Sequence, residues 1–500
     1  MTDLQIAESP AGNVRARIAV LVAERRWQLV VWAAMTAWSA ALFLLVRWHF
    51  TEFHLARYDL GNMVQAVWST AHGRPLEATV GTGEQVERLA GHVDPILALL
   101  APLWMVAPSP LTLAAAQVAA VGLGALPVYW LGRRHLGSDR SAGLVALAYL
   151  AYPWLAWTAL DAIHPVTFAI PLFLFGIWFL DSERLFPFAV TAALAAATGE
   201  LMGLSIAGLG LWYWLARGHR RAGIGIFGAG LAWSFLCIKV IIPAFAGQES
   251  QFYAHYTEVG GSPEGVLRTA VTRPWAIVDA LTTASDIGYL VALVAPLAGA
   301  VLLAPGIALA ATPALAALGL SSFEALTDPR QHYIAGVIPF FFAASVFALA
   351  RLPEQRRAHA AAFVLTLSAL FSAMLGPWPG GVGPAWLQGE LPAERIPALR
   401  QAIAMVPEDA PVASTNRAGS HLSERRYFYS VPHVEDAHWV VLDMVDTWVP
   451  LPPQGEEPRP SWGHTDPELI RTLRARLASS KRWTKVFDRD GVLVFRRVQP

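Results

Sequence analysis

Asp59 stands in "ARYDLGNMVQAVW" (residues 56–68), just where the first long apolar run of the chain has ended. Other ionisable residues recur at the ends of apolar runs. They are His92 and Asp94 in "HVDPILALLAPLW", Asp161 and His164 in "TALDAIHPVTFAIP", Glu200 in "ATGELMG", and Arg330, His332 and Tyr333 in "DPRQHYIAGVIPF". Holding a charge at the edge of an apolar segment is costly, which makes each of these a functional candidate. Carboxylates and histidines that converge can supply a general base for an incoming hydroxyl, or can hold a divalent cation such as Mg²⁺ or Mn²⁺. Arg330 has the planar fork that grips a phosphate with two hydrogen bonds. Asp59, Asp161 and Glu200 are therefore the candidate catalytic groups, and His92, Asp94, His164, Arg330, His332 and Tyr333 the candidate substrate-binding groups. Simpler roles compete with these. Asp59 can cap the helix after it, His92 and His164 can bond a helix end before a proline, Glu200 can be a solvated turn residue, and Arg330 can anchor at an interface.

The elements that must position these residues are membrane helices. The chain has 500 residues, of which 55% are hydrophobic and 15% charged, with a mean hydropathy of +0.42. Soluble domains carry roughly a quarter charged residues. A formal charge of zero gives no electrostatic case for binding nucleic acid. Cys237, the single cysteine, excludes an internal disulfide and any C-x-x-C metal site. No G-x-x-x-x-G-K-[ST], H-E-x-x-H or G-x-S-x-G is present, so neither a P-loop nor those two hydrolase motifs supply the chemistry.

Residues 27–47 form the first expected span, and Arg15, Arg17, Arg25 and Arg26 before it place residues 1–26 in the cytoplasm by the positive-inside rule. The run is long enough to remain as an anchor and is not a cleavable signal. Further spans are expected at 111–131, 141–159, 165–180, 222–245, 286–303, 333–350 and 360–378, with two short helices over 186–215 split at Gly199-Glu200 and one more over 305–320. Residues 92–107 are apolar but short and broken by Pro95 and Pro102. Laying them along the outer interface puts every arginine-rich short loop on the inner side, giving about eleven spans. The N-terminus is then inside and the C-terminus outside; arginine far outnumbering lysine, with many alanines, suggests a bacterium with a GC-rich genome, which would make this its cytoplasmic membrane. The loop 48–110 and all the candidate residues then share the outer face. A Pro/Gly-rich linker at 379–394 leads into an α/β domain at 395–500. There, "AERIPALRQAIAMVP" reads as a helix, "PVAST" and "HWVVLDM" as strands, "DPELIRTLRARLA" as a helix capped by Asp466, and "WTKVFDRDGVLVFRR" as a hairpin.

The fold class expected is thus mainly α: a polytopic transmembrane bundle with a small extracytoplasmic α/β domain. The strings "RYDLGNMVQAVW", "HVDPILALLAPLW", "ALPVYWLGRRHLG", "DAIHPVTFAIPLFLFGIWFLD", "RQHYIAGVIPFFF" and "NRAGSHLSERRYFYSVP" resemble a bacterial family of membrane proteins, domain of unknown function 2079. By layout, that family resembles the GT-C superfamily of membrane glycosyltransferases. The resemblance implies inverting transfer of a sugar from a polyprenyl-phosphate donor to an envelope acceptor, with membrane lipids around the site. It implies Asp59 as the base, and Arg330 and His332 near the donor phosphate. The turn that relatives write Lys-Glu-Asp reads Gly199-Glu200-Leu201 here. A transporter or lipid flippase, or a non-catalytic envelope partner, is the alternative. The first would need repeats and charges at the membrane midplane, and the ionisable residues here sit at span ends.

Overall fold

The computed structural model describes residues 10–80, 83–161, 163–380, 394–450 and 463–498, with backbone alone for 10–24 and 251. Most of the linker expected at 379–394 lies outside the described residues. Among the described residues, four helices are long and apolar enough to cross a membrane: Arg25–Thr51, Pro110–Leu136, Arg220–Ala246 and Glu354–Leu375. Two further pairs, Asp139–Leu150 with Pro153–Leu160 and Pro274–Leu281 with Ala284–Leu297, are bent by 49° and 55°. Pro153 and Ala284 open the second halves. A proline cannot donate the backbone hydrogen bond that would carry the first of these pairs straight on.

The shorter apolar helices are Pro95–Val106, Pro165–Asp181, Leu185–Ala196, Met202–Leu215, Pro305–Gly319 and Ile338–Ala350. The break at Gly199-Glu200 and the start at Pro305 stand where the sequence puts them. One element differs from expectation, and one stretch carries elements that no expectation covered. Asp59 does not open a helix; it sits inside a single π-turn, Arg57–Gly61, and the helix Asn62–Ala71 follows. Between Gln251 and Leu281 the chain forms a 3-10 stretch and two amphipathic helices, Pro263–Thr272 and Pro274–Leu281, that leave Leu267, Val271, Trp275 and Val278 exposed.

The C-terminal domain is a five-stranded sheet in the order Phe428–Ser430, Val412–Ser414, Trp439–Asp443, Val492–Arg497, Trp483–Arg489. The first three strands are parallel and the last three antiparallel. Helices Arg395–Ala404 and Pro467–Ser479 pack against it, and Asp466 accepts from the Leu469 N–H at 2.8 Å as an N-cap should.

This domain is seated on the loop after the first helix. Phe53 enters its core beside Leu399, Phe428 and Val494, at a left-handed φ of 60° that only such burial offsets in a non-glycine residue. Ser420 donates to the Leu55 carbonyl at 2.8 Å, and Nε2 of His421 lies 3.0 Å from the Phe50 carbonyl. Gly61 and Gly419 make the close approach possible: a Cβ on Gly61 would lie 2.5 Å from Ser423 Oγ, and one on Gly419 2.6 Å from Arg57 Cβ. The glycine two residues after Asp59 is thus a docking residue.

Candidate functional site

Asp161, His164 and His332 come together at one end of the bundle. His332 Nδ1 lies 2.9 Å and His164 Nδ1 3.5 Å from Asp161 Oδ2, and the two imidazoles stack at 3.6 Å with 13° between their planes. Their turn is pinned by Gln117, which is buried in the helix Pro110–Leu123. Its amide nitrogen donates to the carbonyls of Ala159 (3.3 Å) and Asp161 (2.8 Å). Its oxygen accepts from the His164 N–H (2.8 Å) and Thr167 Oγ1 (3.0 Å). One side chain therefore contacts four polar groups at a helix break, where unmet polar groups are most costly, and Thr167 Oγ1 also lies 2.7 Å from the His164 carbonyl.

Asp59 approaches from the other side. Its π-turn is held by Arg57, which is 1% exposed. Arg57 donates to Asn62 Oδ1 at 2.8 Å and to the carbonyls of Thr79 (2.5 Å) and Phe428 (3.3 Å), and lies 4.7 Å from the Phe428 ring centre. Gln65 adds bonds to Thr79 and to the Arg425 and Arg426 carbonyls. Among the described residues, Asp59 accepts no hydrogen bond and forms no ion pair, so the capping role is not what holds it. Its carboxylate opens into a cavity of about 670 Å³, within the size range of ligand sites. Asp59 itself is exposed to that space; the protein atoms crowded around it push its pKa up, His164 pulls it down and the like charge of Asp161 pushes it up.

The cavity lies between the bundle and the C-terminal domain. Asp59, Trp157, Asp161 and Arg330 line it on one side, and Asn416, Arg417, Asp446 and Trp448 on the other. The Tyr58 and Trp448 rings meet at 4.6 Å, and Asn416 Oδ1 accepts from the Tyr58 N–H at 3.2 Å, which ties the two walls together beside Asp59. Arg330 is already gripped: Nη2 and Nε donate to the Asp328 carboxylate at 2.6–3.1 Å.

His92, Asp94 and Glu200 form a second cluster. Glu200 Oε1 lies 3.2 Å from His92 Nδ1, and Oε2 accepts from the Val93 N–H at 3.2 Å. Asp94 is buried against Arg88, with contacts of 2.7–3.0 Å. Burial alone would raise Glu200, but His92 and the Val93 N–H outweigh it and hold its carboxyl below the ordinary range. Tyr333 lies between the clusters: desolvation raises its phenol, with Asp161, Asp59 and Glu200 adding to the effect.

Residues 49–494 match the family DUF2079, described as a predicted membrane protein. The chain belongs to that family. No curated protein matches it. Among solved structures it is similar to ArnT from Cupriavidus metallidurans bound to undecaprenyl phosphate, with a TM-score of 0.57 and 13% identity, over 95% of this chain and 98% of that one. At that identity the likeness shows the fold alone, an ArnT-like one.

In this DUF2079 protein the nine residues singled out in the sequence thus divide in two. Asp59, Asp161, His164, His332 and Arg330 gather at or beside the cavity; His92, Asp94 and Glu200 are tied into a separate network, with Tyr333 between. Sequence reasoning missed Arg57, Gln65, Arg88, Gln117, Arg417 and Asp446. Arg57 and Gln65 stand in the same short string as Asp59, and a charged residue two positions before a candidate was a signal available to be read. Gln117, inside an apolar helix, was another. Nothing in the sequence pairs Arg417 with Asp59, 358 positions away.

Proposed function

We propose that this protein is a GT-C-type membrane glycosyltransferase. It moves a sugar from a polyprenyl-phosphate donor to an envelope acceptor, at the outer face of the cytoplasmic membrane. Counting the four long helices, each bent pair once, and the shorter apolar helices other than Pro95–Val106 makes eleven crossings. That count supports an inner N-terminus and an extracytoplasmic C-terminal domain.

The observation that carries the reading is Asp59: a carboxylate with no intramolecular partner, raised by enclosure, opening into a cavity in a fold shared with a protein captured with a polyprenyl phosphate. A general base needs a free lone pair within reach of the incoming hydroxyl and a pKa closer to the working pH than that of an ordinary aspartate. In the transfer, the acceptor oxygen attacks the anomeric carbon as Asp59 takes its proton. The bond from that carbon to the phosphate oxygen breaks, and the polyprenyl phosphate leaves with the electron pair. Asp161, held by His164 and His332, faces the same space and opposes the lowering pull of His164 on Asp59. Glu200, with both oxygens engaged, positions the segment at 92–94 and is not assigned a reacting role.

Asp161, His164 and His332 offer three ligand atoms within 4.8 Å of one another. As arranged they do not fit Mg²⁺ or Mn²⁺. An imidazole binds a metal in its ring plane, and two rings stacked face to face at 3.6 Å cannot both aim a nitrogen at one ion; Mg²⁺ moreover prefers an all-oxygen shell. No step is routed through a metal.

The test is sugar transfer from synthetic polyprenyl-phosphate sugars by purified wild type and Asp59→Asn. Transfer by wild type and its near-complete loss in the variant are expected. Equal rates in the two proteins would remove Asp59 from the chemistry, and no transfer with any donor would remove the reading.

A further inference from the structure

The cavity wall supplied by the C-terminal domain carries a guanidinium with nothing to bond. Arg417 lines the cavity, makes no side-chain hydrogen bond or ion pair among the described residues, and has Nη1 buried and unpartnered. Its own backbone N–H donates to Asp446 Oδ2 at 2.6 Å; the guanidinium lies near enough to act on the Asp446 carboxylate by charge but makes no hydrogen bond or close ion pair with it among the described residues. Arg330, across the cavity, is neutralised by a bidentate contact with Asp328. Two arginines thus face one space, and they are not equivalent. One is already a closed ion pair, while the other keeps Nη1 buried with no acceptor.

An unpaired, partly buried arginine costs stability that an anionic ligand returns. Its planar fork matches the oxygens of a phosphate, and hydrogen bonds to charged oxygens are the strong ones. Asp59 stands on the same cavity 670 Å³ in volume, so an anion at Arg417 lies in the space where the base works.

We infer that Arg417 binds the phosphate of the lipid-linked donor, and that the C-terminal domain is therefore a working wall of the substrate site. This rests on the proposed transfer from a polyprenyl phosphate for the identity of the ligand, though not for the presence of an anion site. It also assigns the covering domain a part in donor recognition, which the seating of Phe53 and Arg57 in that domain makes structurally possible.

The experiment measures binding, so that it stands apart from turnover. The full-length protein in lipid nanodiscs is titrated with undecaprenyl phosphate, with undecaprenol, which lacks the phosphate, and with inorganic phosphate. Wild type, Arg417→Gln, Arg417→Lys and Arg330→Gln are compared. The expected result is a loss of about tenfold or more in undecaprenyl phosphate affinity for Arg417→Gln, partial recovery in Arg417→Lys, and little change in Arg330→Gln. Undecaprenol binding, equal in all four proteins, shows that the variants are folded. Undiminished undecaprenyl phosphate binding by Arg417→Gln overturns the inference, as does a loss confined to Arg330→Gln. Inorganic phosphate that binds through Arg417 while the lipid shows no phosphate-dependent affinity overturns the lipid assignment and names a free anion as the ligand. Phosphate-specific lipid binding lost in Arg417→Gln, in a protein that transfers no sugar, keeps this inference and removes the glycosyltransferase reading.

Discussion

The two clusters of charged residues at the loop-bearing end of the bundle are built from the same side chains and behave differently. Around Glu200 every carboxylate has been answered: His92 and the Val93 N–H take Glu200, and Arg88 takes Asp94 with contacts down to 2.7 Å. Around the cavity the answers are incomplete: among the described residues Asp59 accepts no hydrogen bond, and Arg417 Nη1 is buried without one. A third carboxylate makes the contrast plainer. Asp181 at the opposite end of the bundle is fully buried and meets Arg134, His135 and Arg217 at 2.8–3.1 Å. Closed networks of this kind hold helices together, and substituting one member mainly costs stability. Groups left open beside a cavity have their partner outside the chain.

This contrast breaks most easily at Asp59 and Glu200. Asp59→Asn is expected to lower the transfer rate by two orders of magnitude or more with an unchanged melting temperature, because no bond within the protein is lost. Glu200→Gln is expected to show the reverse balance, a lower melting temperature with a rate reduced by less than about tenfold. Comparable rate losses in the two variants would erase the distinction. Next in size is Arg88→Met, which leaves Asp94 buried and alone. It should cost about 3 kcal/mol of stability, read by thermal unfolding in detergent, and Asp94→Asn added to it should recover part of that loss.

The two clusters should also answer acid at different points, the cavity at higher pH than the Glu200 network. A base works deprotonated, so transfer falls as pH drops through the raised pKa of Asp59, placing the acid limb above the ordinary value of about 3.9 for an aspartate. Asp161→Asn removes the neighbouring like charge and should move that limb to lower pH in a pH–rate profile. Glu200, held low by His92 and Val93, contributes stability that persists above the ordinary glutamate range and is lost only as pH falls through its depressed value. The smallest effect is expected from chelation. EDTA should change transfer by less than about twofold, because the stacked rings of His164 and His332 leave no common direction for a metal. Loss of activity restored by Mn²⁺ would show that one ring turns.

The class of the molecule was legible in the residues themselves. Long uncharged runs can only be membrane helices, because hydrocarbon offers the backbone no other partner. The helix over 395–404, the Asp466 cap and the Asp490-Gly491 hairpin turn follow from local rules of spacing and capping. That carboxylates and histidines crowd the span ends was equally visible, and it brought Asp59, Asp161, His164 and His332 forward. What sequence could not decide was which of these are satisfied. Hydrogen bonding of a side chain depends on neighbours brought in from far along the chain: Gln117 reaching His164, His92 reaching Glu200, Phe428 receiving Arg57. The sequence left Asp59 open between a helix cap and a catalytic base, because a cap is a local inference and the π-turn is set by the domain seated on it. Arg417 carried no local signal at all. Its part in the cavity exists only because Phe53, Gly61 and Gly419 let the C-terminal domain close over the first loop, and close packing between segments hundreds of residues apart is a property of the tertiary structure alone.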